Sequence, residues 1–277
     1  PQDVKWDPQV QQATTSEYIQ LSETFKTTTV DLVVWPESAT PFYLYNDPLL
    51  TRMVTAGIND IGTDFLIGSP SALNRGGKVI YFNSAYLIDK LGRPLEKYDK
   101  AHLVPFGEYV PFKQYLPFLG KMVAQVGDFE AGPTGKTLKW GDQRLGVLIC
   151  YELIFPELAR RQVKNGASLL VNLTNDAWYG RTSAPYQHFS MAVFRAVENK
   201  RALVRAANTG ITGFIDPVGR IQQTTGLFET TAIHQPVHLI DVGTIYTRWG
   251  DVFAKACLIT VAVLALYFFI LSKKTGP

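Results

Sequence analysis

Arg144-Leu145-Gly146-Val147-Leu148-Ile149-Cys150-Tyr151-Glu152 is the stretch that decides the fold. Residues 145–149 are almost entirely apolar, as a strand buried on both faces should be. The run stops abruptly at a thiol and a carboxylate. Two other strand-like runs also end in a reactive group. Asp31-Leu32-Val33-Val34-Trp35 runs into Pro36-Glu37, and Leu95-Glu96-Lys97-Tyr98-Asp99 runs into Lys100. A carboxylate, an amine and a thiol, each at a strand end, are the parts of a nucleophilic acyl-transfer site. The thiolate attacks, the carboxylate takes protons and the ammonium stabilises negative charge.

Outward from that stretch, strand-like and helix-like segments alternate, which predicts an α/β architecture. Residues 65–69 and 79–88 read as strands, the second closed by the turn Asp89-Lys90-Leu91-Gly92-Arg93-Pro94. Pro156-Glu157 opens a helix, with proline at a permitted first position and an acid near the positive end of the dipole. Residues 168–173 read as a strand, 187–199 as a helix and 202–206 as a strand. Tyr86-Leu87-Ile88-Asp89 with Gly92-Arg93 is echoed by Gly213-Phe214-Ile215-Asp216 with Gly219-Arg220. Both read as hairpins with Asp and Gly in the turn.

The 277 residues are 46% hydrophobic, enough for one large domain with a sizeable core. The formal charge is only +3 and no basic run is interleaved with aromatics, so nucleic acid is not an expected partner. The two cysteines are Cys150 and Cys257. Cys257 lies in an apolar segment near the C-terminus, which argues against a disulfide between them. No CxxC, HExxH or Cys/His cluster suggests a structural metal.

Each candidate has a bland alternative. Cys150 reads as the nucleophile, or as a buried structural cysteine. Glu37 reads as the general base and later acid, or as an ordinary surface acid. Lys100 reads as the holder of the oxyanion, helped by the backbone N–H of Tyr151, or as a solvated lysine. Glu152 reads as a supporting carboxylate, or as a strand-exit acid bonded to backbone. His102 and His188 keep a Cys–His dyad open as the runner-up mechanism.

Two apolar segments remain. Residues 110–129 carry Phe112, Leu116, Phe118 and Met122 between prolines, which suggests a lid able to touch a bilayer or an acyl chain. The alternative is that they pack on the domain. Val252–Leu271 is apolar but for Lys255, and roughly 20 residues suffice to span a bilayer if that lysine snorkels. Its alternative is a buried C-terminal helix. Lys273 and Lys274 on one side against Arg248 and Lys255 on the other leave orientation by charge close to a draw.

These residues also carry a resemblance. Trp35-Pro36-Glu37, Tyr98-Asp99-Lys100 and Ile149-Cys150-Tyr151-Glu152 resemble the Glu-Lys-Cys signatures of the carbon–nitrogen hydrolase (nitrilase) superfamily. Pro1-Gln2 with Lys5-Trp6, the block Leu103-Val104-Pro105-Phe106-Gly107-Glu108-Tyr109-Val110-Pro111, and Asn175-Asp176-Ala177-Trp178-Tyr179-Gly180 are similar to its apolipoprotein N-acyltransferase branch. The resemblance implies a four-layer αββα sandwich over residues 1–247, a connector at 248–251, a transmembrane helix at 252–271 and a cytoplasmic tail at 272–277. It implies a first strand and a bundle of membrane helices upstream of Pro1. Glu108 would lie beside the Glu37–Lys100–Cys150 triad, and Trp6, Leu116 and Phe118 would contact substrate. The implied reaction moves an acyl chain from a phospholipid, through a Cys thioester, to the amine of a diacylglyceryl-cysteine apolipoprotein. It needs no cofactor or metal and takes place on the periplasmic side of a bacterial inner membrane. A tethered C–N hydrolase acting on a small amide, and an inactive scaffold, are the rival readings.

Overall fold

The computed structural model describes residues 6–111 and 128–274. In chain order the elements are α1 (Pro8–Glu23), β1 (Leu32–Trp35), α2 (Pro48–Ile61), β2 (Asp64–Arg75), β3 (Lys78–Ile88), β4 (Pro94–Asp99), β5 (Thr137–Trp140) and β6 (Gln143–Ile149). A 3₁₀ turn (Cys150–Ile154) follows, then α3 (Pro156–Lys164), β7 (Leu169–Asn175), a second 3₁₀ turn (Asp176–Tyr179) and α4 (Ala184–Asn199). The chain ends with β8 (Ala202–Asn208), β9 (Gly213–Ile215), β10 (Ile221–Thr224), α5 (Ile245–Trp249) and α6 (Val252–Lys274).

The strands form two sheets, ordered β1-β2-β3-β4 and β10-β9-β8-β7-β6-β5. β6, β7 and β8 run parallel at the centre of the second sheet, and β1 runs parallel to β2 at the edge of the first. The period of two in β6 separates the layers. Leu145, Val147 and Ile149 face the first sheet and pack with Leu66, Ala85, Leu87 and Tyr98. Leu148 faces the other way, into a layer formed with Leu158, Val163, Phe189 and Ala196 of α3 and α4. On the far side of the first sheet, Val33, Trp35, Phe65 and Ile67 pack against Leu50, Val54 and Ile58 of α2. The αββα sandwich expected from the sequence is therefore present. The apolar run at 145–149 is continuous because both faces are covered.

Local chemistry explains the ends. α1 and α2 each begin at an Asp-Pro pair. Asp7 accepts from Gln9 N–H and Asp47 from the N–H groups of Leu49 and Leu50, with proline next in the chain. The two echoed turns share one construction. Asp89 Oδ1 accepts from Leu91 and Arg93 N–H at 3.0 and 2.8 Å, and Asp216 Oδ1 from Val218 and Arg220 N–H at 2.9 and 2.8 Å. β2 runs well past the expected residue 69, because Gly76 and Gly77, both at positive φ, close a two-residue hairpin to β3.

α6 is exposed along its described length, and Val252–Leu271 is long and apolar enough to cross a membrane. It is not a buried helix of the domain. Phe112, Leu116, Phe118 and Met122 of the expected lid lie outside the described residues, while Val110 at its start is buried.

Candidate active site

The ends of β1, β4, β6 and β7 and the middle of β3 converge where the two sheets meet. Glu37 follows β1 and is 8% exposed, and Lys100 follows β4 and is 1% exposed. Lys100 Nζ lies 2.9 Å from Glu108 Oε1 and 3.6 Å from Glu37 Oε1. Asn83, on β3, donates through Nδ2 to both carboxylates at 2.8 Å. Their remaining oxygens accept backbone N–H groups, Glu37 Oε2 from Asn175 and Glu108 Oε2 from Val104, both at 2.9 Å. Glu108, expected beside the triad, contacts the lysine directly. Asn83 carried no sequence signal beyond being a polar residue in mid-strand.

Cys150 follows β6 at φ 52°, in the left-handed region, where a non-glycine residue is strained by about 1–3 kcal/mol. Its thiol faces the Thr174 hydroxyl and the Asn175 N–H. Asn175 N–H thus lies between the thiol and Glu37. The residue as a whole is half-buried, but its sulfur sits in dense surroundings. Burial first, and then the Glu37 carboxylate, push the thiol up to about 12, against the pull of Lys100. Burial opposes the Lys100 charge, yet Glu37, Cys150 and Glu108 together hold its pKa above the ordinary lysine value. The lysine is a fixed cation.

Glu152 does not hold the lysine side chain, so the expected support takes another form. Its buried carboxylate accepts from Ala101, His102 and Ile149 N–H at 2.7, 2.9 and 2.7 Å, and from Tyr98 Oη at 3.0 Å. It pins the backbone after Lys100 to the backbone before Cys150, which is the reading of a strand-exit acid bonded to main chain. Burial raises its pKa to about 7, against those donors.

The Cys–His dyad is not formed. The His102 ring stacks on Phe155 at 3.9 Å, and His188 Nε2 meets the carbonyl oxygen of Cys150 rather than its sulfur. Trp6 is 51% exposed and begins an aromatic row, 6.3 Å from Tyr43, which is 5.6 Å from Tyr81. Tyr81 lies two residues from Asn83 along β3, on the same face of the sheet. Leu116 and Phe118 lie outside the described residues. A thiol beside a carboxylate, with a lysine fixed as a cation across from it, can form and break acyl bonds. Among the described residues there is no His/Cys/Asp/Glu cluster fit for a metal ion.

Residues 1–245 match the family described as carbon-nitrogen hydrolase. The chain belongs to that family. Its relatives include a protein of Geobacter metallireducens named apolipoprotein N-acyltransferase, 48% identical over 97% of this chain and 52% of its own length. Another of that name, from Rickettsia prowazekii, is 35% identical over 98% of this chain and 54% of its own. The chain spans about half the length of these relatives. Among solved structures, an amidase from Nesterenkonia sp. superposes with a TM-score of 0.58 at 20% identity, covering 78% of this chain and 81% of the other. A carbon-nitrogen hydrolase from Helicobacter pylori gives 0.58 at 16% identity, covering 78% and 80%. These two share the fold of this carbon–nitrogen hydrolase chain.

Proposed function

We propose that this chain is the catalytic portion of an apolipoprotein N-acyltransferase working through a thioester on Cys150. The observation that carries the chemistry is the Glu37–Lys100–Glu108 cluster, with Glu37 and the Cys150 thiol meeting at the Asn175 N–H. The relatives' name supports the substrate class. Sulfur attacks the ester carbonyl of a phospholipid while its proton passes to Glu37. The oxyanion that forms is stabilised by the Lys100 ammonium and the Tyr151 N–H. It collapses with loss of the lysophospholipid alkoxide, which takes the proton back from Glu37. In the second half the α-amine of a diacylglyceryl-cysteine protein attacks the thioester. Glu37 accepts the amine's proton and returns it to the departing thiolate.

Glu108 and Asn83 keep the lysine and Glu37 oriented, and Glu152 keeps the two strand ends in register. The row Trp6–Tyr43–Tyr81 is a wall for the acyl donor, with Leu116 and Phe118 as further contacts. Val252–Leu271 crosses a bacterial inner membrane, which keeps the domain at the periplasmic surface where phospholipid esters and exported acceptors meet.

Intact-mass analysis of the full-length protein purified from membranes tests the reading. An acyl mass on the wild-type chain, absent from Cys150→Ala, is the expected result. A protein that carries no acyl group, transfers none from phospholipid and hydrolyses small amides instead would establish the tethered amidase.

A further inference from the structure

Behind the thiol lies a buried polar cluster that the mechanism above does not use. His188, on α4, is 6% exposed. Its Nε2 lies 3.1 Å from the Cys150 carbonyl oxygen and its Nδ1 lies 3.0 Å from Asp176 Oδ1. A carbonyl only accepts, so Nε2 carries a proton and donates it. Asp176 is held in turn by Arg205 Nη2 at 2.7 Å and by the Thr174 hydroxyl at 3.1 Å. Arg205 is fully buried and also donates to the Ile211 carbonyl at 3.1 Å and to Asn172 Oδ1, and its Nη2 lies 3.2 Å from His188 Nδ1. An interior Arg–Asp pair loses several kcal/mol of hydration per ion, so it is weak as a device for stability alone. Here it sets the angle of one imidazole, and that imidazole grips the backbone of the nucleophile.

The grip falls on a decisive bond. The peptide joining Cys150 to Tyr151 is trans and planar, so its C=O and N–H point in opposite directions. Holding the carbonyl on His188 therefore aims the Tyr151 N–H away from His188. Tyr151 lies in the first turn of a 3₁₀ helix, where N–H groups have no acceptor within the helix. The strained φ of Cys150 means that this plane needs an external hold.

We propose that His188, oriented by Asp176 and Arg205, is a positioning residue. It fixes the Cys150–Tyr151 peptide plane so that the Tyr151 N–H meets the oxyanion. The inference rests on Cys150 being the nucleophile, and it adds a residue that never touches substrate.

Two isosteric variants of the full-length protein separate this role from packing. The His188→Gln amide can reach the Cys150 carbonyl as Nε2 does. The His188→Asn amide matches Nδ1, keeps a partner for Asp176 and ends short of Cys150. The readouts are the single-turnover rate of Cys150 acylation by a phospholipid with a labelled acyl chain, the donor concentration giving half that rate, and the melting temperature. Loss of an oxyanion donor slows such reactions by about 10²–10³-fold. His188→Asn is expected to lose about that much at an unchanged half-saturating donor concentration. His188→Gln is expected to recover at least about tenfold of it. Equal behaviour of the two variants, whether both fast, both slow or both unfolded, overturns the proposal. A wild-type protein that forms no adduct on Cys150 would instead reject the nucleophile itself.

Discussion

A thiol raised to about 12 is almost wholly protonated at neutral pH, so on the proposed mechanism Cys150 loses its proton during attack rather than before it. That mechanism makes Glu37 indispensable, and Glu37 and Lys100 have opposite effects on the thiol. Alkylation of Cys150 by iodoacetamide should keep rising with pH beyond 10, past the point where an ordinary thiol levels off. Removing the Glu37 charge in Glu37→Gln should move the inflection down, and removing the cation in Lys100→Met should move it up. Acyl transfer should be lost in both. An inflection near 8.5 in the wild type would contradict the buried, carboxylate-flanked environment. Cys150→Ser should show no transfer above background, measured with labelled phospholipid, because a serine hydroxyl is far harder to ionise. At this scale Glu37, Lys100 and Cys150 stand out in the sequence because each follows a strand within a recognisable block, and Glu108 stands out only through the resemblance that its block carries. Asn83, Asn172 and Arg205 do not. Their roles arise from partners 24 or more residues away, such as Asn83 with Glu108, Asn172 with the Leu148 carbonyl and Arg205 with Asp176.

Elements place these side chains through close backbone approach. A Cβ on Gly68, in β2, would lie 2.2 Å from the Pro36 carbonyl oxygen and 2.7 Å from Glu37 Cα. One on Gly132 would lie 2.3 Å from the Asp99 carbonyl oxygen, just before Lys100. Neither neighbour is a flexible side-chain tip, so the backbone carrying Glu37 or Lys100 must move. Gly68→Ala should destabilise the fold by about 1–3 kcal/mol, as overpacking does, and slow acylation by more than that instability explains at a temperature where the variant is fully folded. Thermal melts with single-turnover rates check this; wild-type kinetics in a folded Gly68→Ala protein would refute it. Most strands are readable from period and apolar runs, β5 excepted, while α1 and α2 are not. Asp7-Pro8 and Asp47-Pro48 are start signals, but an Asp-Pro pair also occurs in turns and does not by itself specify a helix. α1 in particular buries little and has no clear apolar stripe.

At the scale of the molecule, the site is divided between the sheets. Glu37, Lys100 and Asn83 come from the first, and Cys150 and Asn175 from the second. Truncating Leu145 to Ala in the layer between them should destabilise the protein by about 2–5 kcal/mol in denaturant titrations. Fold class was legible because strand and helix patterns alternate. Helix orientation was not, since charges flank Val252–Leu271 on both sides. With Cys257 replaced by Ser, a reporter thiol after Lys274 should resist an impermeant maleimide in intact spheroplasts, whereas one at the exposed Ile245 should react. The reverse pattern would place Cys150 where exported acceptors cannot meet it. The division also has a consequence in time. A ribosome makes the base, the lysine and Glu108 before residue 109, then the thiol, and only afterwards Asn175, His188 and Arg205, which shape its turn. On the proposed mechanism the nucleophile is therefore armed last. If the proposed mechanism holds, a nascent or prematurely terminated chain carries an inert cysteine and acylates nothing.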